Sequence, residues 1–280
     1  MKKFTKVCLL IAAVLMMLGL TACAAGAVMG AGSTTLRELW DDGDLNIWGW
    51  RIGKDGIGWI HDDDWMDGEE FVDRFQAAEI HGMDIYLKHT YLEIEESDTD
   101  EVILTVERND GEFQSSLKDG ILTLRDERSG HHARRNYEVK LELPKGMELK
   151  EIKIENRAGV LESDDFVLKA DKIDIQGGAG EVELDRVKTK EFYLEVGAGN
   201  ADIQNLDAEK ADISCGVGNI DIQLMGKELD YNYELSCGIG NVNIGLESYS
   251  GLGRTKKIDN SASKTVRLEC GVGNITVDME

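Results

Sequence analysis

The chain has 280 residues, with 54 acidic side chains against 31 Lys+Arg, a formal charge of −23. That charge repels phosphate backbones and argues against nucleic acid as a partner. An apolar fraction of 42% is enough for a real core, so the chain is not wholly disordered, and five cysteines are too few to build a disulfide scaffold of this length.

The N-terminal segment, residues 1–32, sets the compartment. Lys2, Lys3 and Lys6 precede an uncharged stretch from Val7 to Gly32. Val7–Leu20 has the length and flanks of a signal-peptide core. Leu20-Thr21-Ala22-Cys23 resembles the lipobox of bacterial lipoproteins, which implies lipidation at Cys23 and loss of the preceding residues. The apolar run also continues to Met29, long enough for an uncleaved membrane helix, on which Ala22, Gly26 and Gly30 form a small-residue stripe. Both alternatives stay open. In either, the lysines stay inside and the rest of the chain is extracytoplasmic, at the bacterial cell membrane.

Residues 33–82 read as an acidic, Trp-rich linker and cap. Trp40, Trp48, Trp50, Trp59 and Trp65 all fall here, interspersed with glycine and with acidic clusters. The tryptophans are expected to cover the open end of the core that follows. Phe71, Val72, Phe75 and Ala78 lie at helical spacing and predict a short helix over 68–80. Asp62-Asp63-Asp64 lacks the alternating ligand spacing of an EF-hand and reads as a solvated loop.

Residues 83–280 carry the architecture. IDIQGGAGEVEL (173–184), FYLEVGAGNADI (192–203), ADISCGVGNIDI (211–222), YELSCGIGNVNI (233–244) and RLECGVGNITV (267–277) are copies of one unit. A weaker copy is IKIENRAGVLE (152–162), and MDIYLKHTYLEI (83–94) resembles it. In each copy the apolar residues alternate as in a strand, then the parity skips. The chain therefore turns a corner at Gly178 and Gly180; Gly197, Gly199 and Asn200; Gly216, Gly218 and Asn219; Gly238, Gly240 and Asn241; Gly271, Gly273 and Asn274. Glycine and asparagine tolerate the left-handed backbone such a corner needs.

Aligned copies give inward columns, one of Ile175, Leu194, Ile213, Leu235 and Leu268, another of Leu184, Ile203, Ile222, Ile244 and Val277. A single rung of about 20 residues cannot bury its apolar face alone, whereas stacked rungs can. The expected fold is all-β, a parallel β-solenoid (β-helix-like), with the corner asparagines in an amide ladder. EVILTVE (101–107), GILTL (120–124) and NYEVKLELP (136–144) read as strands of its less regular first part. Stacked in chain order, the rung at Ile275–Val277 would leave an open edge for a partner strand or a second copy, unless the insertion 248–265 folds over it.

These repeats resemble the bacterial β-strand-repeat family of adhesin-like proteins, DUF4097, over roughly residues 83–280. The resemblance implies a β-helix-like domain at the cell envelope and carries no catalytic residues. Lys88-His89-Thr90-Tyr91 departs from the glycine pattern at its corner.

Chemistry is sparse. Gly238-Ile239-Gly240 is flanked by strands, so neither a Rossmann nor a P-loop reading fits. Gly177-Gly178-Ala179-Gly180-Glu181 begins like a calcium nonapeptide repeat, but Val182 stands where its aspartate would. Cys215, Cys237 and Cys270 share an interior column as small side chains, and a Cys215–Cys237 disulfide is an alternative that would leave Cys270 unpaired, because adjacent rungs place Cα atoms within bonding range. Arg125, Arg128, His131, His132, Arg134 and Arg135 read as a solvated basic loop. Glu183, Asp202 and Asp221 form an outward carboxylate column, screened by solvent or bridged by a divalent cation. No cofactor, metal site or catalytic group is expected. The expected function is a non-catalytic envelope interaction module, anchored to the membrane and facing an envelope or surface partner or another copy of itself. The alternatives are an envelope-stress or signalling accessory subunit and a glycan-cleaving β-helix enzyme.

Overall fold

The computed structural model describes residues 45–47, 50–53, 56–59, 69–109, 112–128, 137–245, 247–250 and 254–279. The anchor segment with Cys23, the residues Trp40, Trp48 and Trp65, and His131–Arg135 lie outside them. Among the described residues no helix is long and apolar enough to cross a membrane.

The chain divides into two compact units, Met1–Trp65 and Met66–Glu280. In the first, β1 (Leu45–Ile47), β2 (Trp50–Gly53) and β3 (Gly56–Trp59) form an antiparallel meander that sets Leu45 opposite Ile52 and Trp50 opposite Trp59.

The second unit begins with β4 (Glu69–Gln76) and a 3₁₀ turn at Ala77–Glu79. The helix expected over 68–80 is therefore a strand. Phe71, Asp73 and Phe75 are half-buried while Val72, Arg74 and Gln76 are exposed, a period of two that pairing with a neighbouring strand rewards. There follow β5 (Gly82–Ser97), β6 (Glu101–Asn109), β7 (Phe113–Lys118), β8 (Ile121–Asp126), β9 (Tyr137–Pro144) and β10 (Leu149–Leu224). A 3₁₀ turn at Glu228–Asp230 leads to β11 (Tyr231–Ile244), β12 (Glu247–Ser250), β13 (Arg254–Ile258) and β14 (Lys264–Met279).

β10 is a continuous ribbon that winds on itself. Its inward residues come in short runs: Ile173 and Ile175, Val182 and Leu184, Val187 and Thr189, after which Phe192, Leu194 and Val196 open the next turn. Each run alone would expose its apolar side; stacking seals it, and the interior is a nearly unbroken column of Ile, Leu and Val. Both apolar columns read from the repeats are present, with Ile213 level with Leu268 and Leu235, and Ile222 level with Val277 and Ile244.

The order of the rungs departs from chain order. β14 pairs in parallel with β10 on one side and with β11 on the other. The segment that comes last in sequence is thus inserted between 211–222 and 233–244. Its strand is not an open edge. The terminal rung is β11, and the insertion folds over it as β12 and β13, both antiparallel to it. The expectation that Ile275–Val277 offers an edge to a partner is overturned by this arrangement.

At the other end β5 pairs in parallel with β10. Beyond β5 the stack divides. Gly82–Tyr86 pairs with β8, which carries β7; Thr90–Ser97 pairs with β9, which carries β6 and then β4.

Candidate functional site

The repeats converge on one corner of the stack. The second glycine of each unit has positive φ, from +135° at Gly180 to +147° at Gly199 and Gly218, with Gly273 at +145° and Gly240 at +143°. The asparagines that follow do not share this conformation; the left-handed backbone expected of both residues belongs to glycine alone. The first glycines, Gly178, Gly197, Gly216, Gly271 and Gly238, are needed for close approach instead. A Cβ on Gly197 would lie 2.5 Å from the carbonyl oxygen of Gly178. Gly177, one residue earlier, has room: the nearest atom to a Cβ there is Val182 Cγ2 at 3.6 Å, beside a cavity of about 10 Å³.

Asn200, Asn219, Asn274 and Asn241 form the amide ladder. Asn219 Nδ2 donates to Asn200 Oδ1 at 3.3 Å, Asn274 Nδ2 to Asn219 Oδ1 at 3.0 Å, and Asn241 Nδ2 to Asn274 Oδ1 at 3.3 Å. Between the two glycines of each unit sits one outward side chain. Val217, Val272 and Ile239 stand level on successive rungs and are 55%, 44% and 56% exposed. With Ala179 and Ala198 before them, apolar bulk at the corner increases toward β11.

The carboxylate column runs the other way. Glu162, Glu183, Asp202 and Asp221 follow one another past the corner, and Thr276 and Asn243 continue the column from Asp221. Burial, then the neighbouring carboxylates Glu181, Glu162, Asp202 and Asp164, raise the Glu183 pKa; burial, then Asp221 and Asp185, raise that of Asp202. Tyr91 donates to Glu162, and burial with that carboxylate holds its hydroxyl well above the usual range. Elsewhere the rungs pair opposite charges, as Lys172 with Glu151 at 2.8 Å and Lys190 with Asp171 at 2.7 Å. Among the described residues no group of three or more His, Cys, Asp or Glu is placed to hold a metal ion.

The corner without glycines, at Lys88-His89-Thr90, is built differently. Arg128 and Asp126 are fully buried and joined, Nε to Oδ1 at 2.8 Å and Nη2 to Oδ2 at 2.5 Å. Asp126 also accepts the backbone N–H of Lys88 and of Arg128, both at 3.0 Å. Arg128 donates to the carbonyl of His89 at 3.1 Å, and its guanidinium lies over the Tyr137 ring at 4.1 Å. Arg128 is therefore no part of a solvated basic loop; its charge is compensated internally, and stacking on aromatic faces suits a weakly hydrated guanidinium. Arg125 is likewise paired with Asp84, beside an open depression of about 350 Å³ lined also by Tyr86, Lys88, Lys153 and Glu155. Neither pairing was readable from sequence, although the two-residue spacing of Asp126 and Arg128 was a signal.

Cys215, Cys270 and Cys237 are free and buried, in that order along the stack. Cys215 and Cys237 are not on adjacent rungs, which removes the disulfide expected between them.

The fold and its glycine corner define a repeat protein of the parallel β-solenoid class. The sequence profile of the Toastrack DUF4097 family matches residues 80–225, and the chain belongs to that family. The match spans β5 to the end of β10; the interleaved rungs lie beyond it. Similar solved structures include a "putative cell adhesion protein" from Clostridium sporogenes, 19% identical, covering 76% of this chain and 100% of its own, TM-score 0.46. Another is a "putative adhesin" from Bacteroides fragilis, 15% identical over 75% of this chain and 97% of its own, TM-score 0.42. A "putative lipid binding protein" from Parabacteroides distasonis is 12% identical over 76% and 98%, TM-score 0.32. No curated protein matches the chain.

Proposed function

We propose that this chain is a non-catalytic, adhesin-like interaction module of the bacterial cell envelope, exported and held at the membrane by its N-terminal segment, with the corner of the stack as its contact surface. The observation that carries this reading is the line Val217–Val272–Ile239. Three branched apolar side chains stand about half exposed at regular intervals, beside an uncharged amide ladder, on a chain of charge −23. Burying such a strip against a partner is favourable, and the adjacent carboxylate column disfavours anionic partners, so attachment is confined to neutral or cationic envelope surfaces meeting the β11 end of the corner. Stacking on a fixed backbone keeps the spacing rigid, which lowers the ordering cost of binding.

The test compares the full-length protein with a Val217→Ser, Val272→Ser, Ile239→Ser variant for attachment to intact bacterial cells and purified cell-wall glycan. Because these side chains are exposed, the melting temperature should hold while attachment falls at least about tenfold. Equal attachment by the two proteins, or none by either, would overturn the reading. Mass analysis of the N-terminus after expression in bacteria checks the anchor.

A further inference from the structure

The inserted strand has a consequence for the interior thiols. β14 carries Cys270 level with Cys215 on one neighbour and with Cys237 on the other. Cα atoms level on adjacent parallel strands lie about 4.8 Å apart, inside the range of about 4.4–6.8 Å that a disulfide spans. All three residues are buried on the inward face, at 3%, 1% and 7% exposure for Cys215, Cys270 and Cys237.

We infer that Cys270 forms a disulfide with Cys237, fastening the inserted strand to the terminal rung, while Cys215 remains a thiol. Two observations select this pair. Cys237 is the most exposed of the three and lies on the terminal rung, whose outer side at that point is covered by the short strand β13, with Arg254 opposite Cys237. That rung can open outward, whereas Cys215 sits between two full rungs. Cys215 also points its thiol at the carbonyl of Gly199, 4.0 Å away.

The thiols are not poised to react unaided. Burial and then the two neighbouring thiols push Cys270 up to about 11, and burial raises Cys237 as well. The bond therefore needs transient opening of the terminal rung and a disulfide donor of the oxidised-glutathione type. The Cys237 thiolate attacks a donor sulfur and expels one donor thiol, leaving a mixed disulfide. The Cys270 thiolate then attacks Cys237 Sγ and expels the second donor thiol. Two electrons and two protons pass from the cysteines to the donor, and the Sγ–Sγ bond is formed.

Trypsin separates the three residues, since peptides 211–227, 228–254 and 268–280 carry Cys215, Cys237 and Cys270 respectively. Full-length protein is equilibrated with oxidised and reduced glutathione, alkylated, and digested without reduction. The expected product is 228–254 joined to 268–280, two hydrogens lighter than their sum, with 211–227 alkylated. Cys270→Ser should abolish the link and Cys215→Ser should leave it. The wild-type map decides the matter even where a variant folds poorly. Alkylation of all three peptides after equilibration, or any link that includes 211–227, would overturn the inference.

Discussion

The carbonyl oxygen of Gly199 lies 1.6 Å from the point where a Cβ on Gly218 would stand. One rung's backbone thus occupies the side-chain space of the next. Gly218→Ala must force the rungs apart, and it also places a side chain on a backbone at φ +147°. Strain and overpacking together predict a loss of about 3 kcal/mol or more. Urea unfolding of the variant measures this directly; a loss below about 1 kcal/mol would mean that the corner is not packed as described.

Gly177, two rungs away, provides the opposite case. A methyl group there meets its neighbours at 3.6–3.9 Å, ordinary contact distance, and the backbone conformation is open to any residue. Gly177→Ala should stabilise the protein by about 0.5–1 kcal/mol, by restricting the unfolded chain. The two alanine variants, with such different fates, can be compared in one set of melts.

Asp126→Ala removes the partner of a fully buried guanidinium and leaves the Lys88 and Arg128 amides without their acceptor. The expected cost is about 3–5 kcal/mol. Lys145→Ala, which removes an exposed partner of Glu96, should leave the melting temperature essentially unchanged. Similar melting of the two variants would show that the buried pair does not hold the β5 corner.

The carboxylate column predicts a pH dependence. Glu183, Asp202 and Glu93 have pKa values raised above 4.5, 3.8 and 4.5, chiefly by burial and secondly by neighbouring carboxylates. An acid with a raised folded-state pKa binds its proton more readily when folded, so stability rises as pH falls through that value and levels off below the unfolded value. Asp207 is held low by Lys264 and opposes this only at more acidic pH. The melting temperature should therefore rise as pH falls from 7 toward the ordinary carboxylate range of about 4, and Asp202→Asn should flatten the rise. Because these groups are largely solvated, the single variant should gain only about 1–2 °C at pH 7. A flat profile for both proteins would remove the repulsion.

Much of this structure is legible in the repeats. A fixed period, a parity skip and a recurring Gly-x-Gly determine which residues face inward, where the corner falls and that the asparagines align. The neighbour relations are less legible, because the copies are alike: Leu235, Leu268 and Ile213 fill the same position, so any of their rungs fits against any other. The steps of 22 and 33 residues after two of 19 are the trace of the departure, since only a longer connection lets the chain skip a place. At 68–80 the apolar residues satisfy two periodicities, and pairing with β6 decides for the strand. The buried place of Arg128 depends on the Tyr137 and Phe113 rings from separate strands, which no local pattern announces.

The placement of β14 also bears on how the protein is made. Rungs up to Leu224 can be laid down one upon another as the chain emerges from the ribosome or a translocation pore. Tyr231–Ile244 cannot take its final seat then, because its neighbour on the stack has yet to be synthesised. This strand, with its row of half-satisfied amides, must wait for some thirty further residues before its place beside them exists. Assembly of this end therefore lags the synthesis of β11 by construction, and any factor that shields nascent strands has a longer task there.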